Sequence, residues 1–127
     1  MKYLLDTHVV IWVAENNPSL TDKVKTIILD KNIEKYVSIV SAWEVAIKLG
    51  SNKLDIDGGL LEFFRMIDDN GFFTLSIERE HLQLIPDLPG YHKDPFDRLL
   101  IATAITENMT LITIDENIHK YNAACLW

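Results

Sequence analysis

The chain has almost no cysteine: Cys125, close to the C-terminus, is the only one in 127 residues. An intramolecular disulfide is therefore excluded, and so is any zinc site built on paired cysteines; a lone thiol fits a reducing cytoplasm. No run approaches the roughly 20 apolar residues needed to cross a bilayer. The first fourteen residues, MKYLLDTHVVIWVA, are apolar, but Asp6 and His8 interrupt them and no small-residue cleavage pattern follows. They are expected to form a core strand and a buried helix rather than a secretion signal. Four prolines and five glycines are too few for a linker, and neither a repeat nor a low-complexity tract is present. One cytoplasmic domain spanning residues 1–127, without membrane attachment, is the expectation.

Positive charge is also scarce. Twelve Lys and Arg face 19 Asp and Glu, a net charge of −7. A broad electrostatic surface for nucleic acid is thereby disfavoured. The excess acid is concentrated, however. Setting aside Asp6, Glu44, Asp94, Asp97 and Asp115 leaves 14 acids and a net charge of −2. What the chain does have is apolar residues, at 48%. A chain of this length buries roughly two-thirds of its unfolded surface.

The apolar pattern alternates between two periods. Lys2–Leu5, Tyr36–Val40, Phe72–Leu75 and Thr110–Ile114 read as strands, and Ala123–Trp127 as a short edge strand. Thr7–Glu15, Leu20–Lys31, Ser41–Leu49, a segment around Leu60–Ile67, Glu78–Ile85 and Pro95–Glu107 read as helices. Strands alternating with helices predict a central parallel sheet of four or five strands with helices on both faces.

The acids fall at particular points of this pattern. Asp6 follows the first strand, Asp115 the fourth, and Glu44 lies just after the second. Asp97 sits in the first turn of the helix from Pro95. The carboxyl ends of parallel strands share one edge, where ligands bind in open α/β sheets. Each acid alone also has a helix-start explanation. Asp6 and Asp115 could cap helices, Ser41 and Glu44 match a capping box, and Asp94-Pro95-Phe96-Asp97 places Asp94 as N-cap. Several carboxylates on one edge would repel one another, and a hard cation removes that cost. Oxygen ligands favour Mg²⁺ or Mn²⁺, which can activate water and stabilise a phosphodiester in displacement.

Four segments carry a resemblance. Leu4–Trp12 (LLDTHVVIW), Ser41–Leu54 (SAWEVAIKLGSNKL), His92–Ala104 (HKDPFDRLLIATA) and Leu111–Tyr121 (LITIDENIHKY) are similar, in that order, to the signature regions of PIN-domain nucleases, and in particular to VapC-like toxins of bacterial type II toxin–antitoxin systems. The resemblance implies a three-layer α/β/α fold and a Mg²⁺- or Mn²⁺-dependent endoribonuclease. It implies Asp6, Glu44, Asp97 and the more variable Asp115 as catalytic, metal-holding acids. A homodimer and a cognate antitoxin partner are implied as well.

Around these acids, Thr7, Ser41, Asp94 and Thr113 are candidates to hold the carboxylates or their waters. Plain helix-start chemistry explains the same residues. Lys48, His92, Lys93 and Arg98 are the candidates for contacting RNA phosphates, with Lys53 a further cation nearby. His92 is alternatively placed to orient Asp94. His8 is expected to pack under the first helix. Trp12, Trp43 and Phe96 could stack bases but fall in apolar stretches that suit packing. Two other functions remain open from the residues: an RNA-processing nuclease of the same kind that is no toxin, and a non-catalytic binding module whose acids are helix caps.

Overall fold

Lys2–Leu5 forms the first strand, β1, with three of its four residues buried. Alternation sends Tyr3 and Leu5 into one apolar cluster and Leu4 into another, as the pleat requires of successive side chains. A strand with both faces covered belongs inside a sheet. The computed structural model, which describes residues 1–127, places β1 at its centre.

The remaining elements, in chain order, are α1 (Thr7–Glu15), α2 (Asp22–Leu29), β2 (Glu34–Ser38), α3 (Ile39–Gly50), α4 (Gly59–Asp69), β3 (Phe73–Leu75), α5 (Arg79–Leu84), α6 (Pro95–Thr106), β4 (Thr110–Ile112) and β5 (Cys125–Leu126). All strand pairs are parallel, in the order β3-β2-β1-β4-β5. Helices cover both faces, giving the three-layer α/β/α architecture that the alternating pattern implied. One face packs Val9, Val10, Val24, Ile27, Phe63 and Ile67 of α1, α2 and α4. The other packs Leu99, Leu100, Ile101 and Ala104 of α6 with Ile118 and Tyr121. No helix is long and apolar enough to cross a membrane.

The strand order reverses at β1. The chain moves outward to β2 and β3, then returns to the opposite side of β1 as β4 and β5. The crevice between the carboxyl ends of β1 and β4 is thus the switch point where open α/β sheets bind ligands. The Asp6 N–H donates to Ile112 O across it at 3.0 Å.

Among the boundaries that differ from the sequence pattern, those after β2 and β4 bear on the crevice. The β-branched run Tyr36–Val40 does not all stay in the strand: β2 ends at Ser38, and Ile39 and Val40 open α3. Ser38 caps that helix, its hydroxyl accepting from Val40 N at 3.1 Å. The helix cap and the burial of Val40 outweigh the β preference of the two residues. The fourth strand pattern, Thr110–Ile114, also shortens to Thr110–Ile112, although Thr113 N still donates to Leu126 O at 3.1 Å.

The lysine of β2 is buried. Lys35 Nζ donates to Ile27 O, Ile28 O and Asp30 O at 3.3, 2.9 and 2.7 Å, closing the last turn of α2. It lines a hollow of about 430 Å³. Lys35 is thus engaged by backbone carbonyls of α2 and the residue after it.

Candidate active site

Asp6, Glu44, Asp94, Asp97 and Asp115 line one cleft of about 240 Å³, together with His8, Trp12, Lys48 and Ile114. It opens at the carboxyl ends of β1 and β4. The sequence supplied the five acids and offered Lys48 and Trp12 as candidates, while His8 and Ile114 come from the fold. His8, expected under the first helix, is instead exposed at the cleft. Its helical position one residue beyond the buried Thr7 turns it outward. Ile114 carries no polar signal in the sequence and lies just past β4.

Asp6 extends directly from β1. One carboxylate oxygen accepts from Thr7 N at 2.7 Å, so it does cap α1. The other accepts from Thr113 Oγ1 at 2.7 Å, across from β4. Capping and facing the cleft are therefore not alternatives, since a carboxylate has lone pairs for both. Burial raises the Asp6 pKa above the ordinary 3.8, against the hydrogen bonds from Thr113 and Thr7 that favour the anion.

Glu44 was expected to pair with Ser41 in a capping box. Because α3 starts at Ile39, Ser41 is its third residue and Glu44 lies in the second turn. Both are buried, and neither caps the helix. They face α1 instead: Thr7 Oγ1 donates to Glu44 Oε1 at 2.7 Å and lies 2.9 Å from Ser41 Oγ. Lys48, one turn on, donates to Glu44 Oε2 at 2.7 Å. Burial disfavours its charge, but Glu44, Asp94 and Asp97 together raise the Lys48 pKa. As placed, this lysine is a counter-ion inside the cleft, not a free cation on its rim.

Asp97 and Asp115 form the opposite wall. Asp94 caps α6, its Oδ1 accepting from Phe96 N and Asp97 N at 2.8 and 3.2 Å. That cap fixes the first turn, from which Asp97 points into the cleft. Burial, then the charges of Asp6 and Asp94, push the Asp97 pKa up to about 7, with Glu44 adding and His92 opposing. Asp115 behaves oppositely. Burial works to raise it, but hydrogen bonds from His92 and Asn117 N carry it below the usual carboxylate range. Thr113 joins the two walls, donating to Asp6 and accepting from Asp115 N at 3.1 Å.

His92 Nε2 lies 3.0 Å from Asp97 Oδ2 and 2.9 Å from Asp115 Oδ2. It meets the acids themselves, and Asp94 only through the backbone. Arg98 does not reach the cleft. Its guanidinium donates to Pro89 O, His92 O, Ile85 O and Leu88 O at 2.9, 3.3, 3.0 and 3.4 Å, stitching down the loop before α6. Lys93 is exposed on that loop, and Lys53 is exposed beyond α3; neither lines the cleft. Trp43, 59% exposed, meets Phe96 edge-on at 5.2 Å outside the cleft, whereas Trp12 lines it and meets Trp127 edge-on at 5.8 Å.

A parallel sheet carrying acids at its switch point invites comparison with known proteins. Residues 3–124 match the profile of the PIN domain. The chain belongs to the PIN domain family. Solved structures of PIN proteins share the fold at low sequence identity. VapBC2 from Rickettsia felis, bound to a DNA fragment from their promoter, is 17% identical, with a TM-score of 0.75 over 99% of this chain and 98% of that one. FitAcB from Neisseria gonorrhoeae is 18% identical, with a TM-score of 0.67 over 98% and 96%. The PIN domain endonuclease Utp24 is 17% identical, with a TM-score of 0.55 over 94% of this chain and 74% of its own. No curated protein sequence matches significantly.

The donor set of this PIN domain fits a hard cation. Five carboxylates line the cleft beside one lysine, no thiol is among the lining, and burial, then the charges of Asp6 and Asp94, already raises Asp97. Oxygen donors of this kind suit Mg²⁺ or Mn²⁺.

Proposed function

We propose that this PIN domain protein, a single nuclease domain over residues 1–127, is a Mg²⁺- or Mn²⁺-dependent endoribonuclease and the toxin of a toxin–antitoxin pair. One observation carries the reading: Asp6, Glu44, Asp97 and Asp115 surround a single cleft, and Asp97 is held near a pKa of about 7 largely because it is buried among like charges. A helix cap needs only one acid at a helix start, whereas a four-acid cleft needs a cation. Asp6, Glu44, Asp97 and Asp115 would hold it. When bound, the ion supplies activated water and charge stabilisation at a scissile phosphodiester.

The chain's own residues do the positioning. Thr7 and Lys48 hold the two oxygens of Glu44, and Thr113 holds Asp6. Lys48, exposed over 31% of its side chain, is the cation placed to meet a substrate phosphate once Glu44 engages a metal. Trp12 offers a ring face in the cleft wall for an unpaired base. RNA as substrate rests on the resemblance of the four signature segments.

The toxin role is supported by likeness to the VapBC and FitAcB assemblies. A cognate antitoxin and a homodimer belong to the same reading. The exposed stripe Ile39, Trp43 and Ile47 on α3 offers a face for a second copy. A second reading is a nuclease of the same kind that is no toxin; likeness to the PIN domain endonuclease Utp24 supports the nuclease that both readings share.

Purified protein should cleave RNA with Mg²⁺ or Mn²⁺ and stop in EDTA, and Asp6→Ala should be inactive. Cleavage by Asp6→Ala would place the site elsewhere. Induction in cells separates the two roles: growth arrest relieved by the neighbouring gene product supports the toxin, and cleavage without arrest supports the nuclease that is no toxin.

A further inference from the structure

His92, Asp97 and Asp115 present ligand atoms that all lie within 4.8 Å of one another, the spacing of a metal triad. The hydrogen bonds around the imidazole argue for another role. We infer that His92 is a proton-bearing clamp, whose Nε2–H is donated to Asp115 with Asp97 packed against the same nitrogen, and that it positions these carboxylates for a cation without ligating the cation itself.

The decisive contact is on the far side of the ring. The backbone N–H of Asp94 donates to His92 Nδ1 at 3.1 Å. Only a lone pair can accept that bond, so Nδ1 carries no proton. A neutral imidazole has one ring proton, which must then sit on Nε2. A nitrogen bearing a proton has no lone pair for a metal, and which nitrogen is free is set by the bond the other makes. The Nε2–H instead donates to Asp115 Oδ2 at 2.9 Å, with Asp97 Oδ2 3.0 Å from the same nitrogen.

The backbone that carries the ring is tied on both sides. His92 N donates to Tyr121 Oη at 2.8 Å, and His92 O accepts from Arg98 at 3.3 Å. Only 15% of its side chain is exposed. The clamp thus joins an acid from the first turn of α6 to an acid that follows β4, two elements the backbone alone does not tie together at the cleft. Removing the nitrogen donor from the metal set also leaves oxygen ligands alone, which favours Mg²⁺ or Mn²⁺ over zinc.

This inference rests on the reading of the cleft as a metal centre, and the test separates the two. Two-dimensional ¹H–¹⁵N spectra of ¹⁵N-histidine-labelled, full-length, metal-free protein report which ring nitrogen of His92 is protonated. The clamp requires a bare Nδ1 and a protonated Nε2, unchanged when Mg²⁺ is added. A proton on Nδ1, or coupling of Nε2 to added ¹¹³Cd²⁺, would overturn it. Calorimetry with Mn²⁺ supplies the second arm. His92→Leu should weaken Mn²⁺ binding by about 10–100-fold, the usual effect of losing a partner that orients metal ligands. His92→Gln, whose amide N–H reaches the place of Nε2, should restore most of that affinity. Equal loss in both variants would overturn the clamp. If the unmutated protein binds no Mn²⁺ at all, the metal-centre reading fails, and the tautomer still decides the clamp.

Discussion

The two walls of the cleft hold their acids by different means. Asp6 and Glu44 stand on regular elements, at the end of β1 and within α3, and buried hydroxyls fix them. Asp97 and Asp115 stand where regular structure begins or ends, and an imidazole from a loop links them. The first wall is set by the core, because any shift of Thr7 or Ser41 would disturb packed side chains. The second wall is set by the anchoring of residues 85–94, for which Arg98 and Tyr121 supply the ties. The difference teaches that one cleft can combine a rigid half with a half whose geometry depends on a few hydrogen bonds.

The largest effect should come from removing an acid on either wall. Asp97→Asn should lower RNA cleavage by about 10³-fold, since charge stabilisation by a bound ion is worth several kcal/mol. The same variant should unfold at a higher denaturant concentration without metal, because it removes a buried charge that Asp6 and Asp94 repel. Loss of both activity and stability would break the idea that this acid is kept at a cost.

Next comes the loop. Arg98→Ala should cost about 2 kcal/mol in a urea melt, since hydrogen bonds from a charged donor are worth about 1.5–3 kcal/mol and the carbonyls of Ile85, Leu88, Pro89 and His92 lose their shared partner. Metal affinity should fall with it through Asp97 and Asp115. An undisturbed melt would show that the second wall does not depend on this stitch.

A smaller effect is expected on the rigid side. Thr113→Val removes the hydroxyl that holds Asp6 and accepts from Asp115 N. Mn²⁺ affinity should fall by about tenfold in calorimetry. Retained affinity would mean that the core alone orients Asp6.

The remaining effect is in pH. The Asp97 pKa is raised in the folded chain from 3.8 to about 7. The folded state therefore binds this proton more tightly than the unfolded state does. Its stabilising contribution is full below about 3.8 and is lost as pH rises through about 7. Metal-free protein should lose stability across that window, and Asp97→Asn should flatten the change. Added Mg²⁺ competes with the same proton, so its stabilising effect should grow as pH passes about 7.

Much of the fold was legible because periodicity is a local property. The strand runs KYLL and TLI and the apolar helix from Pro95 are read from side chains alone, and so is their alternation. The boundary at Ser38 was not, since Tyr36–Val40 is uniformly strand-like and only packing decides where the helix begins. That two-residue shift removed the capping box at Ser41 and Glu44 and turned both toward Thr7. The acids of the cleft were legible as types at junctions. The roles of the basic residues were not. Lys48 meets Glu44, Arg98 serves loop carbonyls and His92 bridges two acids. A flexible charged side chain near a motif has many reachable partners, and the sequence does not rank them.

By itself, the sequence determined the parallel α/β order and the points on that order where carboxylates stand, because hydrophobic period and junction chemistry are written residue by residue. Only the tertiary structure decided which of them face one another, which cation each one meets and that Thr113, just past β4, joins the two walls. Those facts depend on strand order and on competition among distant partners for the same hydrogen bonds, which no local pattern contains.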